Sequence, residues 1–159
     1  YDAIVRLAEA TPVHVALDGA DNFRITRARL EAALTARTRP VILNSPNNPT
    51  GRVHDREELE ALADVARRHD LVVISDEIYE KIIFDGHQHL SIAALPGMRG
   101  RTVTLNGFSK GYAMTGWRLG YLAADAPIVD EMLKVQQHTI GCAASFVQTA
   151  AVEALRGTQ

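Results

Sequence analysis

The stretch Thr102-Val103-Thr104-Leu105-Asn106-Gly107-Phe108-Ser109-Lys110-Gly111-Tyr112-Ala113-Met114-Thr115-Gly116-Trp117-Arg118-Leu119-Gly120-Tyr121 decides how the rest of the chain is read. A β-branched run that ends in Asn-Gly predicts a strand followed by a turn. One lysine then stands in a loop of small residues, and an arginine follows in the same loop. An ordinary surface lysine titrates near about 10.4, whereas one held at a strand end beside other cations can lose its proton and act as a nucleophile. On Lys110 alone a solvated loop side chain is the better reading. Ser109 and Arg118 change it, because a hydroxyl and a guanidinium fork together suit a phosphate ester.

Two upstream motifs have the same setting. Pro40-Val41-Ile42-Leu43 is a continuous apolar run, as in a strand buried on both faces, and it opens into Asn44-Ser45-Pro46-Asn47-Asn48-Pro49-Thr50-Gly51. The prolines fix the backbone and Gly51 permits a turn, so an asparagine amide can be held rigidly at the sheet edge. An isolated Asn-Pro pair would be read as an ordinary turn, and the residues leave Asn47 and Asn48 both open. Leu71-Val72-Val73-Ile74 is a second buried strand, closed by Ser75-Asp76-Glu77-Ile78-Tyr79. A carboxylate at a buried strand end needs a positive partner or a set of donors. For Asp76 a cap is the equal alternative. Glu77 points to the opposite face if the strand continues and is read as structural.

Helical patterns separate these strands. Ile4, Leu7 and Ala8 form a stripe at the start, and Pro12 to Leu17 reads as a short strand. Thr26 can cap a helix whose inner face is Leu30, Ala33 and Leu34. Asp55 with Glu58 resembles a capping box, and Leu59, Leu62, Ala63 and Ala66 make a buried stripe. Leu119 to Ala123 reads as another strand. Two packing helices follow Pro127, with Ile128, Met132 and Val135 and then Phe146, Val147, Ala151 and Leu155. Alternating strands and helices predict an α/β fold, a mostly parallel sheet with helices on both faces. In such sheets ligands gather beyond the carboxyl ends of the strands, where all three motifs fall.

Taken together, Ser109-Lys110 with Gly116-Trp117-Arg118-Leu119-Gly120-Tyr121, Asn44 to Gly51 and Ser75 to Tyr79 resemble the fold-type-I aminotransferases of classes I and II, which use pyridoxal 5′-phosphate. The resemblance covers nearly the whole chain, and three motifs in the right order make it specific. It implies that Lys110 holds the cofactor aldehyde as a Schiff base and, once freed, carries a proton from the substrate alpha carbon to the cofactor's C4′. It implies Asp76 as partner of the pyridinium nitrogen, Asn48 and Tyr79 as donors to the phenolic oxygen, and Ser109 and Arg118 as the phosphate grip. Gly107 departs from the pattern, since many relatives carry a serine there as a further phosphate ligand. The run Ala113 to Arg118 looks most like bacterial and archaeal aspartate or aromatic aminotransferases. Other enzymes of this fold, carbon-sulfur lyases and aminocyclopropane-carboxylate synthases, share the lysine. A pyridoxal-phosphate-sensing regulator domain is the non-catalytic alternative.

At 159 residues and 47% hydrophobic, the chain can bury one sizeable core. Beside the family it resembles, residues 1–159 are expected to be a partial cofactor-binding large domain, with the small domain and N-terminal segment absent. The ring-stacking aromatic and the carboxylate-binding arginine of the family are then also absent, and these residues alone are expected to be inactive. The whole protein is expected to be a cytoplasmic homodimer acting on an amino acid and a 2-oxo acid. A net charge of -2 argues against nucleic acid and an acidic membrane surface as partners. A single cysteine, Cys142, precludes an internal disulfide and is read as packing rather than nucleophile. His87-Gln88-His89 lacks a third ligand at metal spacing, so no metal is expected and a solvated loop is the reading. Trp117 is expected to buttress the loop that aims Arg118.

Overall fold

Pro40–Asn44 (β1), Val72–Asp76 (β2) and Thr102–Gly107 (β3) lie side by side as a parallel ladder, and Gly120–Ala123 (β4) pairs antiparallel with β3. The order in the sheet is β1-β2-β3-β4. The computed structural model describes residues 1–158. Five helices complete it: Asp2–Leu7 (α1), Arg27–Ala33 (α2), Arg56–Arg68 (α3), Ala126–Thr139 (α4) and Ser145–Arg156 (α5). This is the α/β arrangement with a mostly parallel sheet that the strand and helix patterns predict.

The connection between β1 and β2 shows how local sequence sets the element. The Asp55 side chain accepts the Glu58 amide, and the Glu58 side chain accepts the Asp55 amide, both at 2.9 Å. This reciprocal cap satisfies two helix-end donors that would otherwise lack partners. Leu59, Leu62, Ala63, Val65 and Ala66 then bury one face of α3. They pack with Leu30 of α2 and with Leu43 and Val73 of the sheet. Val41 pairs with Val73 and Leu43 with Ser75, so these residues share one face of the pleat. Each leucine taken out of water here stabilises the fold by roughly 1.5–3 kcal/mol. The opposite face carries Ile42, Ile74 and Val103 in register, with Asn44 and Asp76 at its carboxyl end. Val103 is buried, but Ile42 and Ile74 remain partly exposed.

Three expectations change. Pro12 to Leu17 forms no strand: Val15 and Leu17 pack on the core while Val13 is left 57% exposed. Two anchored side chains satisfy the alternating pattern without any ladder. Ile4 and Leu7 of α1 are exposed. In α4 no residue is buried, and Met132, Leu133 and Val135 face outward, whereas α5 does bury Val147 and Ala151. Helical periodicity identified these helices but could not say what covers their apolar faces.

Glu58 joins the cap to the core. Its carboxylate also accepts the Ile25 amide at 2.9 Å, meets His54 Nδ1 at 3.1 Å and pairs with the Arg52 guanidinium. Burial alone would raise its pKa. The Asp55 and Ile25 amides and the His54 ring outweigh burial and hold it down from 4.5 to about 2. A depressed carboxylate pKa contributes stability that is present above the unfolded value and lost as pH falls through the folded one. Chemical denaturation between pH 5 and pH 2 should therefore lose about 2 kcal/mol from this group, after allowance for solvent screening, and Glu58→Gln should flatten that segment of the profile.

Candidate active site

Asn44, the last residue of β1, ties two strand ends together. Its Nδ2 donates to the Asp76 carbonyl at 3.2 Å, and its Oδ1 accepts the Asn48 amide at 2.9 Å. The following turn is closed by Asn47, whose Oδ1 accepts the Thr50 amide and, at 2.8 Å, the Thr50 hydroxyl. The Asn47 side chain is thus used inside the turn. Asn48 instead reaches outward, and its Nδ2 donates to the Tyr79 hydroxyl at 3.2 Å. The two asparagines that sequence left open have different surroundings.

Asp76 ends β2 on the same face as Asn44. Its Oδ1 accepts the Ile78 amide at 3.2 Å, an Asx turn that fixes the side-chain direction, and its Oδ2 accepts the Tyr1 hydroxyl. Burial first, then the Asp76 carboxylate, raise the Tyr1 phenol well above its ordinary value. Glu77 turns to the other side of the sheet, as strand alternation predicts, and is 2% exposed. It meets His89 Nε2 at 2.8 Å. His89, expected in a solvated loop, is therefore largely buried, because the loop after Tyr79 folds back onto the end of β2.

The β3–β4 connection is anchored by Phe108, which is buried against Tyr112 and Tyr121 at ring separations of 5.1 and 5.8 Å. Trp117 is 45% exposed, so Phe108 takes the buttressing role expected of it. Lys110 lies exposed beyond β3, with Nζ 5.7 Å from the centre of the Tyr79 ring. Lys81 Nζ donates to the Tyr112 hydroxyl at 2.9 Å, which raises the Lys81 pKa. Ser109 is half-buried beside Lys110. Arg118 is exposed with φ 52°, and its Nη1 donates to its own turn, at the Thr115 carbonyl 2.8 Å away. The structure thus draws Asn48, Asp76, Tyr79 and Lys110 around the strand ends, while the Arg118 guanidinium is engaged by the Thr115 carbonyl of its own turn. Cys142, expected to pack, is exposed.

Gly107 has a steric reason. A Cβ there would lie 3.0 Å from the Gly120 Cα and 3.0 Å from the Leu119 carbonyl oxygen, and 3.3 Å from Ile78. The pairing of Gly107 with Gly120 brings β3 and β4 close, so a serine there would need the Leu119–Gly120 backbone to yield by a few tenths of an ångström.

The residues fit pyridoxal phosphate by their donor and acceptor chemistry. Asn48 has a second amide hydrogen, and Tyr79, accepting one bond from Asn48, keeps its own hydroxyl proton, so both can serve one oxygen between them. Asp76 offers a carboxylate to a cationic ring nitrogen, and Lys110 offers an amine. Sequence reasoning missed Asn44 and Tyr1. Asn44 could have been found as a polar residue closing an apolar strand, but Tyr1 lies 75 residues from Asp76 and carries no local signal.

The architecture is that of α/β domains that take a ligand beyond the carboxyl ends of parallel strands. The family described as Aminotransferase class I and II matches residues 1–159, and the chain belongs to it. It is 49% identical over 157 residues to an aspartate aminotransferase of Musicola paradisiaca, covering 99% of this chain and 39% of that protein. It is 47% identical to aromatic-amino-acid aminotransferase 2 of Thermococcus litoralis, covering 98% of this chain and 40% of that protein. An aromatic aminotransferase structure from Pyrococcus horikoshii superposes with a TM-score of 0.96 at 48% identity, over 99% of this chain and 42% of that one. The chain thus spans about two fifths of the length of these relatives. Among the described residues no helix is long and apolar enough to cross a membrane.

Burial of Tyr1, with its Asp76 contact second, sets an order of ionisation. In an ultraviolet difference titration Tyr1 should be the last phenol to ionise. Tyr1→Phe should remove that late step, and Asp76→Asn should move it to lower pH without bringing it to the ordinary tyrosine value, because burial remains. The stabilisation from Tyr1 is present at neutral pH and is lost as pH rises beyond the unfolded tyrosine value, about 10.

Proposed function

We propose that the protein carrying these residues catalyses transamination between an alpha-amino acid and a 2-oxo acid with pyridoxal 5′-phosphate, the reaction class EC 2.6.1. In this reading residues 1–159 form the central part of its cofactor-binding large domain. The observation that carries the proposal is the Asn48–Tyr79 contact of 3.2 Å at the strand ends, with Asp76 and Lys110 beside it. Aspartate or an aromatic amino acid is the proposed donor. The names of relatives at 49% and 47% identity support that choice. A homodimer is part of the reading, supported by the outward-facing Met132, Leu133, Val135, Ile140 and Phe146. A cytoplasmic location accompanies it.

Bound, the cofactor supplies an aldehyde that captures the amino nitrogen and a protonated ring that stores electrons from the alpha carbon. The residues of this chain prepare that chemistry. Asp76 would pair with the ring nitrogen and keep it protonated, and its direction is set by the Ile78 amide, the Tyr1 hydroxyl and the Asn44 bond to its own carbonyl. Asn48 and Tyr79 would donate to the phenolic oxygen. Lys110 would hold the aldehyde through its amine and would serve as the base for the proton on the substrate's alpha carbon. Ser109 and Arg118 would bind the phosphate. For Arg118 this requires its guanidinium to leave the Thr115 carbonyl, and its exposed position leaves room to do so.

In the full-length protein, borohydride reduction with pyridoxal phosphate followed by peptide mapping should place the label on Lys110, and Lys110→Ala should abolish both label and visible absorbance. A label on another lysine would overturn the assignment. Asp76→Ala should retain cofactor but lose turnover roughly a hundredfold or more, because the ring nitrogen loses its charged partner. Near-normal turnover of that variant would refute the role of Asp76.

A further inference from the structure

We propose that Glu77 is a positioning residue: Ser75, His89 and Ser91 close onto its carboxylate on the far side of the sheet and so hold Asp76 and Tyr79 in place on the near side. The inference deepens the transamination reading and rests on it, since Asp76 and Tyr79 are there the groups that touch the cofactor ring.

Glu77 lies between the two in the chain and is 2% exposed. Its Oε1 accepts the Ser75 hydroxyl at 2.9 Å and the Ser91 hydroxyl at 2.8 Å, while His89 Nε2 meets Oε2 at 2.8 Å. Its backbone is fixed as well: the amide donates to the Leu105 carbonyl of β3 and the carbonyl accepts the Glu80 amide, both at 2.9 Å. The donors come from two places. Ser75 belongs to β2 itself, whereas His89 and Ser91 arrive after a loop that leaves the sheet beyond Asp76, passes Tyr79 and runs out to Phe84, 72% exposed. The carboxylate therefore closes that loop at its base. Without it, the backbone that aims Tyr79 at Asn48 would keep the Leu105 ladder bond and the turn bonds but lose its side-chain tie to the returning loop.

Burying a carboxylate costs free energy that an apolar side chain of similar size would not, so a saturated buried acid at this point serves placement more than stability. Glu80 adds a second acid: ligand atoms of Glu77, Glu80 and His89 all lie within 4.8 Å of one another. Both Glu77 oxygens are already engaged by three side-chain partners, which makes the group a closed clasp rather than an open ion site.

The test uses the full-length enzyme loaded with pyridoxal phosphate. Glu77→Gln puts an amide where three donors need an acceptor. It should lower kcat by about tenfold to a hundredfold while leaving KM within about twofold, as expected for misplaced reacting groups. It should also move the midpoint of the pH titration of the cofactor's visible absorbance and speed amide hydrogen exchange at residues 76–80. Ser91→Ala should shift all three readouts in the same direction by less, and His89→Gln, which keeps a donor, should act more mildly than His89→Ala. If Glu77→Gln does not fold, Ser91→Ala decides. A lowered Tm with wild-type kcat and titration midpoint would overturn the proposal and leave the clasp a fold-stabilising feature only. Wild-type protein without visible absorbance or a borohydride label on Lys110 would overturn the underlying cofactor reading. Failure of the variants in a protein that shows both would count against the clasp alone.

Discussion

In the parallel ladder Asn44 stands beside Asp76, and Asp76 beside Leu105, so β1 and β2 end at the same level and β3 runs on to Gly107. Backbone hydrogen bonds fix that level, and a shift of one residue would send every side chain on a strand to the other face. Asn44 and Asp76 share a face because of this register, and Asn44 can then bond both the Asp76 carbonyl and the Asn48 amide. The positions of Asn48 and Tyr79 follow from that bridge. The cluster of polar groups at the strand ends is thus a consequence of strand pairing more than of any single side chain.

The two faces of the sheet divide the labour. One packs on α2 and α3, where Leu43 and Val73 meet the α3 stripe and Glu58 ties the start of the helix to the Arg52 and His54 turn. The other face leads to Asp76 and leaves Ile42 and Ile74 partly exposed. Glu77 connects the two, since adjacent residues at a strand end point to opposite sides. Rigid packing behind the sheet is what allows loops in front of it to hold polar groups within hydrogen-bond reach of each other.

The exposed apolar residues of α1 and α4 have a physical cost, because contiguous apolar surface is usually covered by something. These residues occur in a chain that spans about two fifths of relatives it matches at 47–49% identity. The sheet core does not share this feature: Leu59, Val65 and Val73 are fully enclosed by residues of this chain.

Sequence alone determined the elements whose signals are local. The apolar runs of β1, β2 and β3, the Asp55–Glu58 cap and the α3 stripe were legible because hydrophobic period and capping chemistry act within a few residues. The order of three motifs was equally legible, and it pointed to Lys110, Asp76, Tyr79, Asn48, Ser109 and Arg118. What needed tertiary structure was everything that depends on distance across the chain. The pattern at Pro12 to Leu17 could not reveal the lack of a strand partner, and the exposed face of α4 was invisible to periodicity. Asn47 and Asn48 were equivalent by composition and were separated only by what the folded turn placed around each. The tight approach at Gly107, the burial of His89 against Glu77 and the contact of Tyr1 with Asp76 come from chain segments brought together by the sheet, and no local pattern encodes them.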